Sequence, residues 1–489
     1  MNSRRGRQLV FGASGYIGGH LVPRLLAEGL VVRAVARDLA HMERPGWVAA
    51  ERVAADATKP ATLAPALAGV ETAYYLVHSM GEGRGFGAVD LECAGNFAAA
   101  AAAAGVKRIV YLGGLVPETA DSEHLESRRA TGDRLRAGPV PVTELRAGII
   151  VGPGSAAFEV IRDLVNALPV MVTPRWVRSR TPPVALENLI EYLLRIPEHE
   201  ESVGRVYDVA GPEMLSYEQL MRGFGEIVGR RPRIVPVPVL TPSLSSYWLG
   251  LVTTVPTPVA RALIEGLGHD LPAEGGPLRR LIPQRLLNYA EAVQAALDAE
   301  RRNAVAARWT EGALMFRNYR QEYAYYAKRA TGSRVARATP AQVWRVLAAI
   351  GGDNRYYALD VLWTLRELAD WLAGGPGRSR GRRDPLRLRV GDSVDSWQVI
   401  GMEPEKRLTL LFGMKAPGAG VLEFSLAPVA GGTTRITATA YWHPAGAWGL
   451  LYWYPLAPFH RLIFERMTRA IARRAESEAP LDSPSAASP

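Results

Sequence analysis

One short stretch near the start constrains this chain more than any other. Gly12-Ala-Ser-Gly15-Tyr-Ile-Gly18 stands between a strand-like segment, Arg7 to Phe11, and a helix-like one, Gly15 to Glu28. Three glycines at that junction have separate physical uses. Gly12 permits a tight turn, Gly15 lets backbone approach a pyrophosphate, and Gly18 allows close packing of helix on strand. The helix start then offers N–H groups and partial positive charge to phosphate. A glycine turn alone is a weak signal; its place after a strand and before a helix gives it weight. The spacing is G-x-x-G-x-x-G rather than G-x-G-x-x-G. Gly12, Ala13, Ser14, Gly15, Tyr16, Ile17 and Gly18 are therefore expected to bind a dinucleotide cofactor. The competing reading is a glycine turn in a fold that has lost its cofactor.

The segments that follow support a dinucleotide fold. Leu30–Ala36, Glu51–Ala55, Thr72–Val77, Arg108–Leu112 and Val142–Arg146 read as strands. Gly85–Ala104 and Ser122–Ala137 read as helices between them, and Gly29 is placed to stop the first helix. Strands alternating with helices of this length imply βαβ units and a parallel sheet covered on both faces. The expected class is α/β, a Rossmann doubly wound parallel sheet.

In such a sheet the ligand crevice lies beyond the carboxyl ends of the strands. The second strand ends in Ala36-Arg37-Asp38. Arg37 is suited to a 2′-phosphate, which favours NADP; Asp38 is suited to a ribose hydroxyl, which keeps NAD as the alternative. Asp56 and Ala57 are placed to meet adenine. Leu76, Val77, His78 and Ser79 follow the fourth strand, and Leu112 and Gly113 end the fifth. His124 and Arg128 are four apart and share a helix face. They occupy the slot where a Tyr-x-x-x-Lys pair would supply proton transfer and cofactor orientation. His124, Arg128, His78 and Ser79 are the candidate catalytic residues. Histidine can exchange a proton near neutral pH, whereas arginine is a poor base. The competing reading for these four is capping, loop or surface structure.

Composition narrows the remainder. Hydrophobic residues are 48% and charged residues 22%, ordinary for a globular protein. The single cysteine, Cys93, excludes an intramolecular disulfide framework and a multi-cysteine zinc site. No metal site is expected. Formal net charge is +10, with only five lysines among 58 basic residues. Basic residues are scattered among acids and not interleaved with aromatics, which argues against nucleic acid as a partner. The N-terminal residues lack the long apolar run of a signal peptide, so a reducing cytoplasmic location is expected.

Beyond residue 150 the pattern loosens. Leu186–Leu194, Ser216–Val228 and Tyr289–Ala307 look helical, Arg205–Val209 looks like a strand, and prolines punctuate residues 232–258. A new pattern starts near Gly332. Thr339 is a good helix N-cap before Pro340, and Leu362–Leu372 is another helix. Strand-like Leu386–Val399, Arg407–Phe412, Gly420–Leu426 and Thr433–Trp442 follow. Trp448–Ala475 is mainly helical. Its part up to Phe464 is strongly apolar but broken by Pro455, Pro458, His460 and Arg461, which suits a buried or membrane-surface segment. Aromatics abound here: Trp363, Trp371, Trp397, Phe412, Phe424, Trp442, Trp448, Trp453 and Phe459. They suit a packed core or the lining of a ligand cavity. The arginines from Arg378 to Arg383 form a basic loop, read as solvated or as a contact for anionic lipid. The expected domains are 1–328, 329–476 and a tail, 477–489.

Several stretches resemble one family. Phe11-Gly-Ala-Ser-Gly-Tyr-Ile-Gly18, Tyr75-Leu-Val-His-Ser-Met-Gly-Glu82, Val142-Thr-Glu-Leu-Arg-Ala-Gly-Ile-Ile-Val-Gly152 and Ser155-Ala-Ala-Phe-Glu159 are similar to atypical short-chain dehydrogenase/reductases. More narrowly, the chain resembles YbjT-type bacterial NAD(P)-binding proteins. Arg175-Trp-Val-Arg-Ser-Arg-Thr181, Ile282-Pro-Gln-Arg285, Gly391-Asp-Ser-Val-Asp-Ser-Trp397 and Leu410-Leu-Phe-Gly-Met-Lys-Ala-Pro-Gly418 fit that type. The resemblance implies a C-terminal domain of unknown function with an α+β helix-grip shape, like START and polyketide-cyclase domains. It also implies NAD(P) binding. The tyrosine–lysine pair of the dehydrogenases is replaced here.

The expected function is NADP(H)-dependent reduction of a small apolar carbonyl, enone or sugar-like substrate. The alternative is a non-catalytic NADP-sensing protein with a fused hydrophobic-ligand-binding domain. Peripheral membrane contact is an expected further partner.

Overall fold

The computed structural model describes residues 6–42, 46–78, 86–117, 123–237, 252–255, 259, 269–302, 324–372, 384 and 387–477. The chain divides into two compact units, Met1–Tyr326 and Ala327–Pro489.

The first unit is built on β1 (Arg7–Phe11). Its side chains alternate between two cores. Val10 joins Ala34, Tyr74, Val110 and Leu145 on one face. Leu9 and Phe11 join Val35, Tyr75 and Tyr111 on the other. A strand apolar on both faces must be covered on both. The sheet also contains β2 (Val32–Ala36), β3 (Glu51–Ala54), β4 (Val70–Tyr75), β5 (Arg108–Gly114), β6 (Val142–Ala147) and β7 (Val206–Val209). Its order is β7-β6-β5-β4-β1-β2-β3, and every neighbouring pair is parallel. The order reverses direction at β1 and β4, the position where such sheets open a ligand crevice. This is the doubly wound arrangement expected.

Helices on the first face bury their apolar sides against the sheet. α1 (Tyr16–Ala27) and α5 (Leu186–Arg195) place Leu21, Leu25, Leu189 and Leu193 in one core. α2 (Phe86–Ala103) covers the second face with Ala94, Phe97, Ala98 and Ala101, and α3 (Glu123–Arg136) adds Leu135. Between α3 and α5, α4 (Ala156–Ala167) joins α6 (Tyr217–Ile227) and α7 (Tyr289–Arg301) around Phe158, Ile161, Phe224 and Leu297. Ser216 is the N-cap of α6: its hydroxyl accepts from the Gln219 amide at 3.2 Å, so the helix starts one residue later than expected. Pro238, Pro242, Pro256, Pro258 and residues 303–307 lie outside the described residues.

The second unit is an antiparallel sheet with three described helices. β8 (Lys328–Ala336), β9 (Ser393–Val394), β10 (Trp397–Glu403), β11 (Arg407–Phe412), β12 (Gly418–Val429) and β13 (Thr433–Pro444) are ordered β8-β13-β12-β11-β10-β9. The single strand expected over Leu386–Val399 is two. Asp395 has φ 50° and turns the chain, so that Val394 pairs with Trp397. Thr339 caps α8 (Pro340–Ala348) as expected, with Gln342 completing the reciprocal capping bonds. α9 (Asp360–Leu372) follows, and α10 (Gly446–Ser477) ends the unit. α10 crosses β8 at Gly332, where an added Cβ would meet the Phe464 carbonyl carbon at 2.3 Å. A long C-terminal helix packed on an antiparallel sheet is consistent with the α+β class expected.

Most of the aromatics form the core of this unit. Trp363, Trp397, Phe424, Trp442 and Trp453 are buried in it. Trp371, Trp448 and Phe459 are not: they are 64%, 74% and 55% exposed.

Candidate active site

The glycine turn has the geometry its sequence implies. Gly12 has φ +90°, a left-handed conformation that favours glycine. The Gly12 and Ala13 amides both donate to the Val35 carbonyl at 3.0 Å, tying the turn to β2. A Cβ on Gly18 would sit 2.5 Å from the Gly12 oxygen and 2.7 Å from the Ala13 Cα, so helix and turn touch there. A Cβ on Gly15 would meet only the Gly12 oxygen, at 3.1 Å. Gly15 is the N-cap of α1 and supplies no side-chain acceptor to the first turn.

The neighbouring strand ends complete the rim. Leu76 and Val77 pack on Gly12, and the Leu76 amide donates to the Phe11 carbonyl at 2.9 Å. Arg37 stands exposed directly after β2. Asp56 closes a local turn, where its Oδ1 accepts from the Thr58 amide at 3.0 Å and hydroxyl at 2.8 Å. Burial alone would raise its pKa, but the Thr58 hydrogen bonds, Lys59 and Arg37 hold it below the usual carboxylate range. Ala57 is buried, and its carbonyl accepts from Asn96 of α2 at 2.9 Å. Tyr16 turns its ring edge-on to His20, with centroids 5.2 Å apart. The Tyr16 hydroxyl is buried without a hydrogen-bond partner, and burial raises its pKa.

The polar residues cluster beyond β4 and β5. His78 Nδ1 lies 2.7 Å from Asp90 Oδ2, and His78 Nε2 lies 3.1 Å from His124 Nδ1. Ser127 donates to the same Asp90 oxygen at 2.9 Å. Asp90 is only 2% exposed. An ionised carboxylate can only accept, so His78 Nδ1 carries hydrogen; its Nε2 then accepts from His124 Nδ1, leaving His124 Nε2 as an acceptor. Burial pushes the His78 imidazole below its ordinary range; Asp90 opposes this and Arg128 adds to it. Burial pushes His124 well below that range, reinforced by His78 and Arg128. Both rings are therefore neutral near pH 7.

Arg128 ties α3 to β5. Its Nη2 donates to the Leu112 carbonyl at 3.1 Å, and its own carbonyl accepts from the Tyr111 hydroxyl at 3.1 Å. Arg128 Nε is buried with no acceptor. Gly113 has a local reason to be glycine, since a Cβ there would lie 2.6 Å from Glu144 Oε1. Glu144 is buried and paired with Arg136 and, at 3.0 Å, with Arg146.

His78 and His124 are thus brought together, with Arg128 beside them. Ser79 lies outside the described residues. Sequence reasoning missed Asp90 and Ser127. One signal was available: Asp90 is an acid on the inner side of an otherwise alanine-rich helix, where a buried charge needs a partner. Among the described residues, no group of three or more His, Cys, Asp or Glu is placed to hold a metal. No described helix is long and apolar enough to cross a membrane.

This fold and rim define a dinucleotide-binding reductase-like unit, and comparison with known proteins is consistent with it. Residues 12–137 match a family described as NAD(P)H-binding, and residues 323–467 match one described as a protein of unknown function, DUF2867. The chain is 30% identical over 266 residues to the (4-alkanoyl-5-oxo-2,5-dihydrofuran-3-yl)methyl phosphate reductase of Streptomyces griseus subsp. griseus, covering 53% of this chain and 84% of that protein. It is 28% identical over 266 residues to the ceramide reductase of Caulobacter vibrioides, covering 51% of this chain and 80% of that protein. A solved structure of Citrobacter sp. triphenylmethane reductase shares the fold, with a TM-score of 0.50 and 20% identity over 60% of this chain and 99% of that one. The chain belongs to the NAD(P)-binding reductases of the atypical short-chain dehydrogenase/reductase family.

The residues present fit the cofactor. Gly18 has no room for a side chain, Gly15 leaves the approach to the helix start open, and Arg128 Nε is a buried donor lacking an acceptor. The α1 amides and the Gly12–Gly18 turn would hold the pyrophosphate.

Proposed function

We propose that the protein is an NADP(H)-dependent reductase of a small apolar carbonyl or enone, with His124 as the residue that exchanges the substrate proton. The observation that carries this reading is the Asp90–His78–His124 chain, whose central His78 lies three residues beyond β4, the strand paired with β1. NADPH, when bound, supplies a hydride to the substrate carbon. His124 Nε2 gives a proton to the substrate oxygen, and the Asp90 carboxylate balances the imidazolium through His78. Reduction draws on the protonated ring, so its rate falls as pH rises past the His124 pKa, which lies below 6.5. In the reverse direction neutral Nε2 accepts a proton, which favours alcohol oxidation near and above neutral pH.

Arg128 Nε is the donor for the nicotinamide ribose, and Arg37 the partner of the 2′-phosphate that favours NADP over NAD. Both relatives are named for lipid or alkanoyl compounds, which supports an apolar substrate. A cytoplasmic reductase with peripheral membrane contact would meet such a compound at the lipid surface. Turnover of NADPH with a panel of apolar carbonyls tests the reading. Stoichiometric NADPH binding without turnover of any of them would replace it with a sensing role.

A further inference from the structure

The second unit carries its distinctive chemistry on the outside. Val361, Leu365, Leu368 and Leu372 of α9 are all exposed, at spacings of four, three and four residues. Those spacings put them on one helical face, about 16 Å long at 1.5 Å per residue. Trp371 flanks that stripe. On α10, Trp448, Leu451 and Phe459 are exposed as well. The two helices meet: Arg366 of α9 donates to the Tyr452 hydroxyl of α10 at 3.2 Å.

Charge separates this unit from the rest of the chain. Residues 327–489 hold 22 Lys and Arg against 14 Asp and Glu, an excess of eight in a chain whose net charge is +10. α10 alone carries Arg461, Arg466, Arg469, Arg473 and Arg474 against Glu465 and Glu476. Beside it a groove of about 670 Å³ is lined by Arg329, Arg334, Arg461 and Arg469, with Glu465 the only acid. Arg461 sits in sequence between the exposed Phe459 and Leu462, so apolar and basic surface run together along α10.

We propose that this face of α9 and α10 docks on an anionic lipid bilayer. Amphipathic helices with apolar side chains and flanking arginines lie in the headgroup region, where tryptophan is enriched. Each basic residue near an anionic surface adds to the attraction. A second copy is the poorer occupant, because two-fold pairing over this face would set two basic units against each other. The inference specifies the membrane contact included in the proposed function and is independent of its hydride chemistry.

Sedimentation of the full chain with vesicles tests it. Binding is expected to phosphatidylglycerol vesicles and not to pure phosphatidylcholine, and to weaken from 0.1 to 1 M salt as screening shortens from ~10 to ~3 Å. Replacing Leu365→Ser and Trp371→Ser together should weaken binding roughly tenfold or more, with NADPH affinity unchanged. Should that variant fail to fold, Arg466→Glu with Arg469→Glu tests the same surface through charge, and should also weaken binding. Failure of the native chain to sediment with phosphatidylglycerol would overturn the proposal. So would equal binding by native chain and folded variants. A native dimer that the serine variant dissolves would assign the face to a second copy instead.

Discussion

The two units differ in where their distinctive side chains lie. In the first, charged and polar side chains are drawn inward beside the sheet: Asp90 of α2, Ser127 of α3 and Glu144 of β6 are each buried and each has a partner. In the second, aromatics fill much of the interior, where Glu367 and Asp370 are also buried, while Trp371, Trp448, Arg461, Arg466 and Arg469 are exposed. Buried polar groups persist only when paired, so the first unit's internal chains are precise and costly to break. Exposed groups carry little stability, so the second unit's face is cheap to alter without unfolding it.

Gly18→Val breaks that contrast most severely. A side chain there meets the Gly12 oxygen at 2.5 Å, so the turn must move. Calorimetry should show NADPH binding abolished, with a stability loss of about 1–3 kcal/mol or more. Gly15→Val sharpens the point. With only one contact at 3.1 Å, it should fold normally and still weaken NADPH by blocking backbone approach.

His124→Gln should lower kcat by ~10²–10⁴, the usual worth of a positioned proton donor, with the NADPH Kd unchanged. Asp90→Asn should move the pH profile to lower pH, since Asp90 supports the protonated histidines. Arg37→Ala should weaken NADP by roughly ten- to a hundredfold while sparing NAD. Equal losses for both would remove Arg37 as the discriminator.

Two tryptophans of α9 test the comparison within one helix. Trp363 is 8% exposed and Trp371 64%. Trp363→Ala should cost ~3–5 kcal/mol in denaturant unfolding, and Trp371→Ala within about 0.5 kcal/mol of nothing. Acidification gives the smallest effect. Both relay histidines have folded pKa values below 6.5, so the unfolded chain binds more protons once pH drops below that value. Stability should be full above pH 6.5 and fall as pH is lowered, less so in His124→Gln.

Much of the first unit was legible in sequence because its signals are local. A strand, a glycine turn and a helix follow one another directly, and apolar alternation marks the strands. His78 and His124 were legible by position alone, as residues just past strands that end in the crevice. Asp90 was not, because its partners are 12 and 37 residues away and only folding brings them together. The close approach of Glu144 to Gly113 was hidden for the same reason. In the second unit the helices and most strands were readable, but the sorting of tryptophans into core and surface depends on tertiary contacts. The hairpin at Asp395 escaped notice because the strand before it, Ser393–Val394, is too short to read apart from the one that follows.

The most direct test of the central claim is the pH dependence of single-turnover NADPH oxidation with an apolar carbonyl, in native protein and in His124→Gln. The account predicts that the native rate falls as pH rises past an apparent pKa below 6.5, and that the variant is slow and lacks this limb. Identical profiles for the two proteins would contradict it.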